Sequence, residues 1–413
     1  MKVLTLNIWG LNKVSKFRQQ RVSAIVSSLS NDLADIICLQ ELWLDSDFDL
    51  IKRNLSHIYP HSVYFYSLSD TLLSGLVGSG LAILSKHKII DSEFFKYDLN
   101  GPPLEVIKGD WFSGKGFGRV TISSPDFGLV DVYTTHFHAP YSESDKHARF
   151  AHRLSQAWQL SSHIINAHNS VILTGDINSE PFTLVFDLLR THASLTDCWA
   201  VAQPTNDKIP PNSPQDAVFR CGYTADVALN SFHQQRYPGY TPGDDSPRYA
   251  GGKRLDYILL KSSLMAPTKS EICFNQLCPP NYTHSYSDHF GIVTTFALKE
   301  APASPTRSRH SDNDMCYLET TRKLKTLCRH SEKQSVKYVF FTALLIVFGV
   351  ALIAASAFPP TSHYSPLFVF FAFLAGAAGA TYLYVGYIYG KFERHSLKNL
   401  LGQIERYIEH SAN

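Results

Sequence analysis

Between Lys337 and Lys391 the chain has no aspartate, glutamate, lysine or arginine. A helix in water needs a polar face, and neither half of this gap supplies one. Two apolar runs fill it, Tyr338 to Phe358 and Leu367 to Tyr389, separated by Pro359, Pro360, Ser362, His363 and Pro366. Residues 338–358, at a helical rise of ~1.5 Å each, cover about 31 Å, enough for a bilayer core. Two membrane-spanning helices joined by a short turn are expected. Gly386 and Gly390 stand one helical turn apart in the second run, a spacing that permits close packing or self-association of helices.

Other shortages exclude other classes. Seven cysteines without regular spacing make neither a disulfide framework nor a zinc site, and they suit a reducing compartment. The apolar stretch after Lys2 is interrupted at Asn7, too soon for a secretory signal. Residues 1–300 carry 26 Lys and Arg against 29 Asp and Glu, a net −3, so no broad basic face awaits a nucleic acid backbone. Residues 301–413 carry 12 against 7, a net +5. Those cations flank the apolar runs, with Arg322, Lys323, Lys325, Arg329, Lys333 and Lys337 before and Lys391, Arg394 and Lys398 after. The positive-inside rule then puts both flanks, and with them both termini, in the cytosol on an intracellular membrane. The same cations would attract anionic lipids.

What the chain does have is a series of polar motifs, each closing an apolar run: Leu6-Asn7-Ile8, Leu39-Gln40-Glu41, Thr135-His136-Phe137-His138, Gly175-Asp176-Ile177-Asn178, Leu255-Asp256-Tyr257 and Ser287-Asp288-His289. The preceding stretches, such as Ile36 to Leu39 and Val171 to Leu173, read as buried strands. Strands deliver side chains to one sheet end with little positional freedom. An amide, several carboxylates and histidines gathered there suit metal-assisted attack of water on a phosphate ester. Arg18 to Leu29 and Phe150 to Ile165 have helical periodicity, and Gly80–Leu84, Arg119–Ile122, Tyr257–Leu260 and Ile292–Phe296 are further strands. Residues 203–252, rich in Pro, Gly, Asn and Asp, read as one long irregular connection.

The ordered set of motifs resembles the endonuclease/exonuclease/phosphatase superfamily, and within it the neutral sphingomyelinases that end in a membrane hairpin. Gly78-Ser79-Gly80-Leu81, Gly109-Asp110-Trp111 to Lys115 and His136-x-His138-Ala139 carry the finer likeness. Ser179-Glu180-Pro181 follows Asn178 where the inositol phosphatases have Tyr-Arg, which speaks against them. The resemblance implies a four-layered α/β sandwich of two mixed sheets, as in deoxyribonucleases, over residues 1–298. A linker and basic segment (299–337), spans at 338–358 and 367–389 and a cytosolic helix (390–413) would follow. Before the first span, Met315, Leu318, Leu324 and Leu327 form a rough apolar stripe; after the second, Leu397, Leu400, Leu401, Ile404 and Ile408 form a clearer one. These two helices either pack together, lie on the membrane or stay separately solvated.

On this reading Glu41 is the foremost ligand of magnesium, with manganese as a substitute, and Asn7 and Asp288 complete the metal site. His289 is the general base and Asp256 holds its tautomer. Asp176 and Asn178, two apart on an extended segment, share a face; one orients water while the other's amide donates to the phosphoryl group. His136 stabilises the developing negative charge, and His138 either joins it or packs behind. Asp110 and Lys115 are implied to form a switch, against the plainer reading of a glycine-rich hairpin with a surface ion pair. The expected reaction is cleavage of sphingomyelin in the bilayer to ceramide and phosphocholine. Lysophosphatidylcholine is an alternative substrate, an abasic-site nuclease a weaker one, and a non-enzymatic scaffold the remaining contrast. Because all six motifs precede residue 290, the part ahead of the spans is expected to work in solution after removal of 330–413.

Overall fold

The structure is a computed structural model, and it describes residues 1–67, 78–101, 114–139, 146–203, 209–233, 246–280, 283–299 and 310–412. Twelve strands are present among these residues: β1 (Lys2–Asn7), β2 (Ile36–Gln40), β3 (His61–Ser67), β4 (Gly78–Ser85), β5 (Lys88–Lys96), β6 (Gly116–Ser124), β7 (Gly128–His136), β8 (Ser170–Asp176), β9 (Thr196–Asp197), β10 (Asp256–Lys261), β11 (Met265–Cys273) and β12 (Gly291–Leu298). They form two six-stranded sheets, ordered β11-β12-β1-β2-β4-β3 and β5-β6-β7-β8-β10-β9. The pair β1–β2 in one sheet and β7–β8 in the other are parallel while their neighbours are antiparallel, so both sheets are mixed. Every residue of β2 and β4 is buried, as continuous apolar runs at the centre of a stacked sheet must be.

Helices α1 (Arg18–Leu29) and α2 (Asp45–Leu55) cover the outer face of the first sheet. Val22, Ile25, Val26 and Leu29 of α1 are buried there, as their spacing predicts. Helices α3 (Lys146–Ile165) and α4 (Leu184–His192) cover the second sheet; the short α5 (Cys198–Ala202) and α6 (Pro214–Phe219) lie near one edge. The inner faces meet through Ile36, Ile83, Val120, Val132, Ile172 and Ile258. Helix, sheet, sheet and helix thus form the four layers.

A further layer was not anticipated. Helix α7 (His310–Ala357) is unbroken through the basic segment into the first apolar run. After a 3₁₀ turn at Pro359–Tyr364, α8 (Ser365–Leu383), a π-helical turn at Tyr384–Tyr389 and α9 (Gly390–Ala412) run back along it. Tyr317, Leu324 and Leu327 of α7 and Leu397, Leu400 and Ile404 of α9 join the same buried cluster as Leu154, Trp158 and Leu189. Met315 and Leu318 point outward; Tyr317 takes the inward place that the stripe assigned to them. At the centre His192 stacks on Trp158 at 4.1 Å, with Tyr317 and Tyr407 edge-on to it. Trp158 Nε1 donates to Gln403 Oε1 at 2.8 Å. Burial lowers the His192 pKa to about 4, so this box is built around a neutral imidazole. Removing 330–413 would strip α9 from this cluster, a contact that the expectation of an intact catalytic part after such a truncation did not include.

Beyond this base, two helices are long and apolar enough to cross a membrane, and most of their apolar side chains face outward, Val347, Phe340 and Phe373 among them. A patch of that extent facing water is foreign to soluble proteins and natural in lipid. Gly386 and Gly390 face α7 of the same chain. A Cβ on Gly386 would stand 2.7 Å from Tyr338 Cβ, and one on Gly390 2.6 Å from Ser335 Oγ. That close approach lets the Ser335 hydroxyl donate to the Gly386 carbonyl.

Candidate active site

The ends of β1, β2, β7, β8 and β10 converge where the two sheets meet. Asn7 closes β1 and its Nδ2 donates to Glu41 Oε1 (3.0 Å) and Asp176 Oδ2 (3.2 Å), linking the first sheet to the second. Glu41 follows β2 with a positive φ of 55°, and Asn178 follows β8 with 49°. Non-glycine residues held in this region cost ~1–3 kcal/mol and gather at functional sites. The extended geometry expected from Asp176 to Asn178 therefore ends at the first of them. The chain turns, the Asn178 amide N–H donates back to Asp176 Oδ1 at 2.9 Å, and its side chain donates to the Phe137 carbonyl at 3.1 Å. Gly175, at φ 133°, makes this approach possible, since a Cβ there would sit 2.0 Å from Thr135 O.

Asp176 Oδ2 is the hub. His136 Nε2 lies 3.6 Å from it and His289 Nε2 3.9 Å. The other nitrogen of His289, Nδ1, is 2.8 Å from Asp256 Oδ2 at the start of β10. Asp256 is fully buried and its backbone N–H donates to Thr224 Oγ1. Burial opposes the charged imidazolium, but the charge and hydrogen bond of Asp256 overcome it and lift the His289 pKa well above its ordinary value. Asp288 precedes it, held by the Ser287 hydroxyl, which also donates to the Asn7 carbonyl at 2.6 Å.

The carboxylates are short of positive charge. Burial and then Asp288 raise the Glu41 pKa; burial and then Asp256 raise that of Asp176 to about 7. Asp176, Asp256 and His289 offer ligand atoms all within 4.8 Å of one another. Asp256 Oδ1 is buried without a hydrogen-bond partner among the described residues. Hard oxygen donors with unmet negative charge fit a divalent cation such as magnesium. Asp256 and His289 are already hydrogen-bonded to each other, while Glu41 and Asp176 both lie against Asn7.

Lys115 is buried. Its Nζ lies 2.9 Å from the Phe137 carbonyl, to which it donates, and 3.2 Å from His136 Nε2. Asp110, its expected switch partner, lies outside the described residues, as does the 301–309 linker. His138 turns away from the hub; its Nδ1 contacts Ala139 O at 2.9 Å, and its ring stacks on His152.

Several site residues had no local signal. Arg21, in the middle of an amphipathic helix, is buried and donates to the carbonyls of Ile8, Trp9 and Tyr286, tying the exit of β1 to the loop that carries His289. Burial lowers its pKa to about 10, against the pull of Asp288 and Glu41. The described part of 203–252 is a wall of the site: Ala225 bridges to His289 and Lys253, and Asn230 Nδ2 donates to Ser287 O at 2.8 Å.

An Asp–His pair beside a buried carboxylate cluster, at strand ends of two facing sheets, is the arrangement of a phosphoester hydrolase. Residues 4–289 match the Endonuclease/Exonuclease/phosphatase family, and the chain belongs to it. It is 30% identical to the inositol phosphosphingolipids phospholipase C of Schizosaccharomyces pombe, over 98% of this chain and 93% of that protein. It is 31% identical to a putative neutral sphingomyelinase of Caenorhabditis elegans (96% and 88%) and 30% to sphingomyelin phosphodiesterase 2 of Rattus norvegicus (86% and 78%). The fold is similar to that of beta toxin from Staphylococcus aureus, with a TM-score of 0.52 at 18% identity over 71% of this chain and 99% of that one. Sphingomyelinase C from Streptomyces griseocarneus gives 0.50 at 17% over 71% and 98%.

Proposed function

We propose that the protein is a membrane-anchored, magnesium-dependent phospholipase C that hydrolyses sphingomyelin to ceramide and phosphocholine. The observation that carries this is the His289–Asp256 pair, whose free Nε2 faces Asp176 Oδ2 across 3.9 Å beside the Glu41–Asn7 contact. A water in that gap can hydrogen-bond to both atoms at ~2.8 Å. The surrounding carboxylates hold His289 cationic when no metal balances them; with a cation bound there the ring would be neutral, its Nε2 would take the water's proton, and Asp256 would fix the tautomer that leaves Nε2 unprotonated. Asp176 orients the nucleophile. His136 and Lys115 present N–H donors toward the phosphate, where negative charge grows during in-line attack. Asn178 holds the Phe137 carbonyl and with it the turn bearing His136. A cation held by Glu41, Asn7 and Asp176, with Asp288 nearby, would supply Lewis-acid stabilisation of the phosphoryl oxygens and the ceramide alkoxide.

The hairpin suits this substrate, whose scissile ester lies at the bilayer interface and whose ceramide stays in the membrane. Cationic residues on both flanks favour a cytosolic site. The near full-length likeness to a fungal inositol phosphosphingolipid enzyme supports a second head group with identical chemistry. Full-length protein with magnesium should be assayed on sphingomyelin, inositol phosphoceramide, lysophosphatidylcholine and abasic DNA. Release of phosphocholine from sphingomyelin at the highest kcat/KM is expected. Turnover confined to inositol phosphoceramide would move the head-group assignment, and turnover of DNA alone would overturn the reading.

A further inference from the structure

The π-helical turn and first residues of α9, where the second apolar run leaves the membrane, touch the catalytic part at a buried point among the described residues. Tyr389 Oη donates to the Gly101 carbonyl at 2.9 Å and lies 3.2 Å from His152 Nε2. One turn on, Glu393 Oε1 is 3.3 Å from the same nitrogen. The other oxygen of Glu393 accepts from Ser331 of α7, so both arms of the hairpin meet here. His152 on α3 is completely buried.

From this point two short paths lead to the site. The His152 ring stacks on His138, with centroids 5.6 Å apart and planes at 24°. One turn along α3, Gln156 accepts from the His138 backbone N–H at 2.9 Å and donates to Leu99 O at 2.9 Å. His138 ends the segment whose Phe137 carbonyl receives both Lys115 Nζ and Asn178 Nδ2. The second path starts at Gly101. Its neighbour Asn100 donates through Nδ2 to the Lys115 carbonyl at 3.1 Å. The base of the hairpin therefore fixes, within a few bonds, both segments that meet at Lys115 and His136.

We infer that Tyr389, Glu393 and His152 are positioning residues for the phosphodiesterase reaction: through them the membrane hairpin sets the placement of Lys115 and the His136–His138 turn. Nothing in the mechanism requires a buried His–Glu contact there. Packing alone would be met by apolar residues, since a buried polar pair adds little net stability over a well-packed isostere. What such a pair supplies is a fixed geometry between two helices. A displacement of about 1 Å at a catalytic group costs up to ~100-fold in rate. The anchor is then a structural member of the active site as well as its attachment to lipid.

The inference rests on the proposed hydrolase reading, and the test separates the two. Full-length Tyr389→Phe and Glu393→Gln are compared with wild type on sphingomyelin dispersed in detergent micelles, where bilayer attachment plays no part. Each is expected to lower kcat about tenfold with KM within twofold. His152→Gln, which keeps a donor, should recover part of what His152→Ala loses. Combined with Lys115→Ala, Glu393→Gln should cost nothing further, because both act on one element. Hydrogen exchange, which needs no turnover, should quicken in 97–101 and 135–139 in the variants. Wild-type kcat together with unchanged exchange in Tyr389→Phe and Glu393→Gln overturns the inference, as does full additivity with Lys115→Ala. Absence of turnover in wild type itself would instead remove the hydrolase reading, with exchange still reporting on the junction.

Discussion

His289 makes one strong hydrogen bond, to a carboxylate that has no access to water, and its other nitrogen faces the reaction space. Replacing it by alanine should lower kcat by ~10³-fold or more while shifting the melting temperature by only a few degrees. Asp256→Asn should be nearly as severe, because an amide can donate to Nδ1 and put the proton on the wrong nitrogen. Steady-state rates on purified, folded variants test both. Glu41 and Asp176 lead to a linked prediction. Burial and Asp256 raise the Asp176 pKa to about 7, above its unfolded value, so the metal-free fold binds an extra proton between about pH 4 and 7. Stability from this group is fully present below that window and is lost as pH rises through 7. A cation replaces the proton, so the magnesium-induced gain in melting temperature should be larger at pH 7.5 than at 5.5, and Asp176→Asn should flatten the difference. An equal gain at both pH values would contradict this placement of the cation.

At the scale of elements, the base of α7 and α9 is clamped on α3 and α4 by an aromatic box with His192 inside. Its folded pKa of about 4 is below the unfolded value near 6.5, so this docking is complete above pH 6.5 and weakens as pH falls toward 4. Limited proteolysis of 310–337 at pH 7.5 and 5 should show the second more rapidly cut, and His192→Asn should remove the pH dependence. Further along the hairpin, Gly386→Leu puts a side chain where Tyr338 Cβ and Ser335 O already are. The helices must part, so this variant should lose detergent-solubilised stability by several degrees, whereas Gly376→Leu, with nothing within 4 Å, should be neutral.

At the scale of the molecule, the catalytic part and the hairpin base are one folded body, and the apolar tips are what can be removed. Thr342 Oγ1 contacts Gly379 O at 3.3 Å, so the two arms are adjacent there. Replacing 343–378 by a short turn should yield a soluble protein with near-normal turnover of micellar sphingomyelin and a loss of at least tenfold on vesicles. Deleting 330–413 should instead give an aggregating or unstable product, since it exposes the Trp158 and His192 face. Both are read by size-exclusion chromatography and by paired micelle and vesicle assays. A glycosylation acceptor placed in 359–366 should be modified in the lumen if both flanks are cytosolic.

The gathering of the candidate site residues was legible because each motif is a local event: an apolar run that becomes a strand carries the residue after it to the sheet end. Glu41, His136, Asp176 and Asp256 needed no more than that. The two long apolar helices were equally legible, since 53 successive residues, 338–390, carry no charged side chain. What the sequence left open depends on groups far apart in the chain. The left-handed turn at Asn178, the burial of Lys115 against Phe137, and the grip of Arg21 on Tyr286 are each set by a partner on another element. So is the joining of Trp158 to Gln403, 245 residues apart. A stripe of leucines on a helix announces that something will cover it, but not what. Only the packed fold decided that the cover is the catalytic part itself, because burial against α3 and α4 removes more apolar surface from water than a solvated or separate helix would.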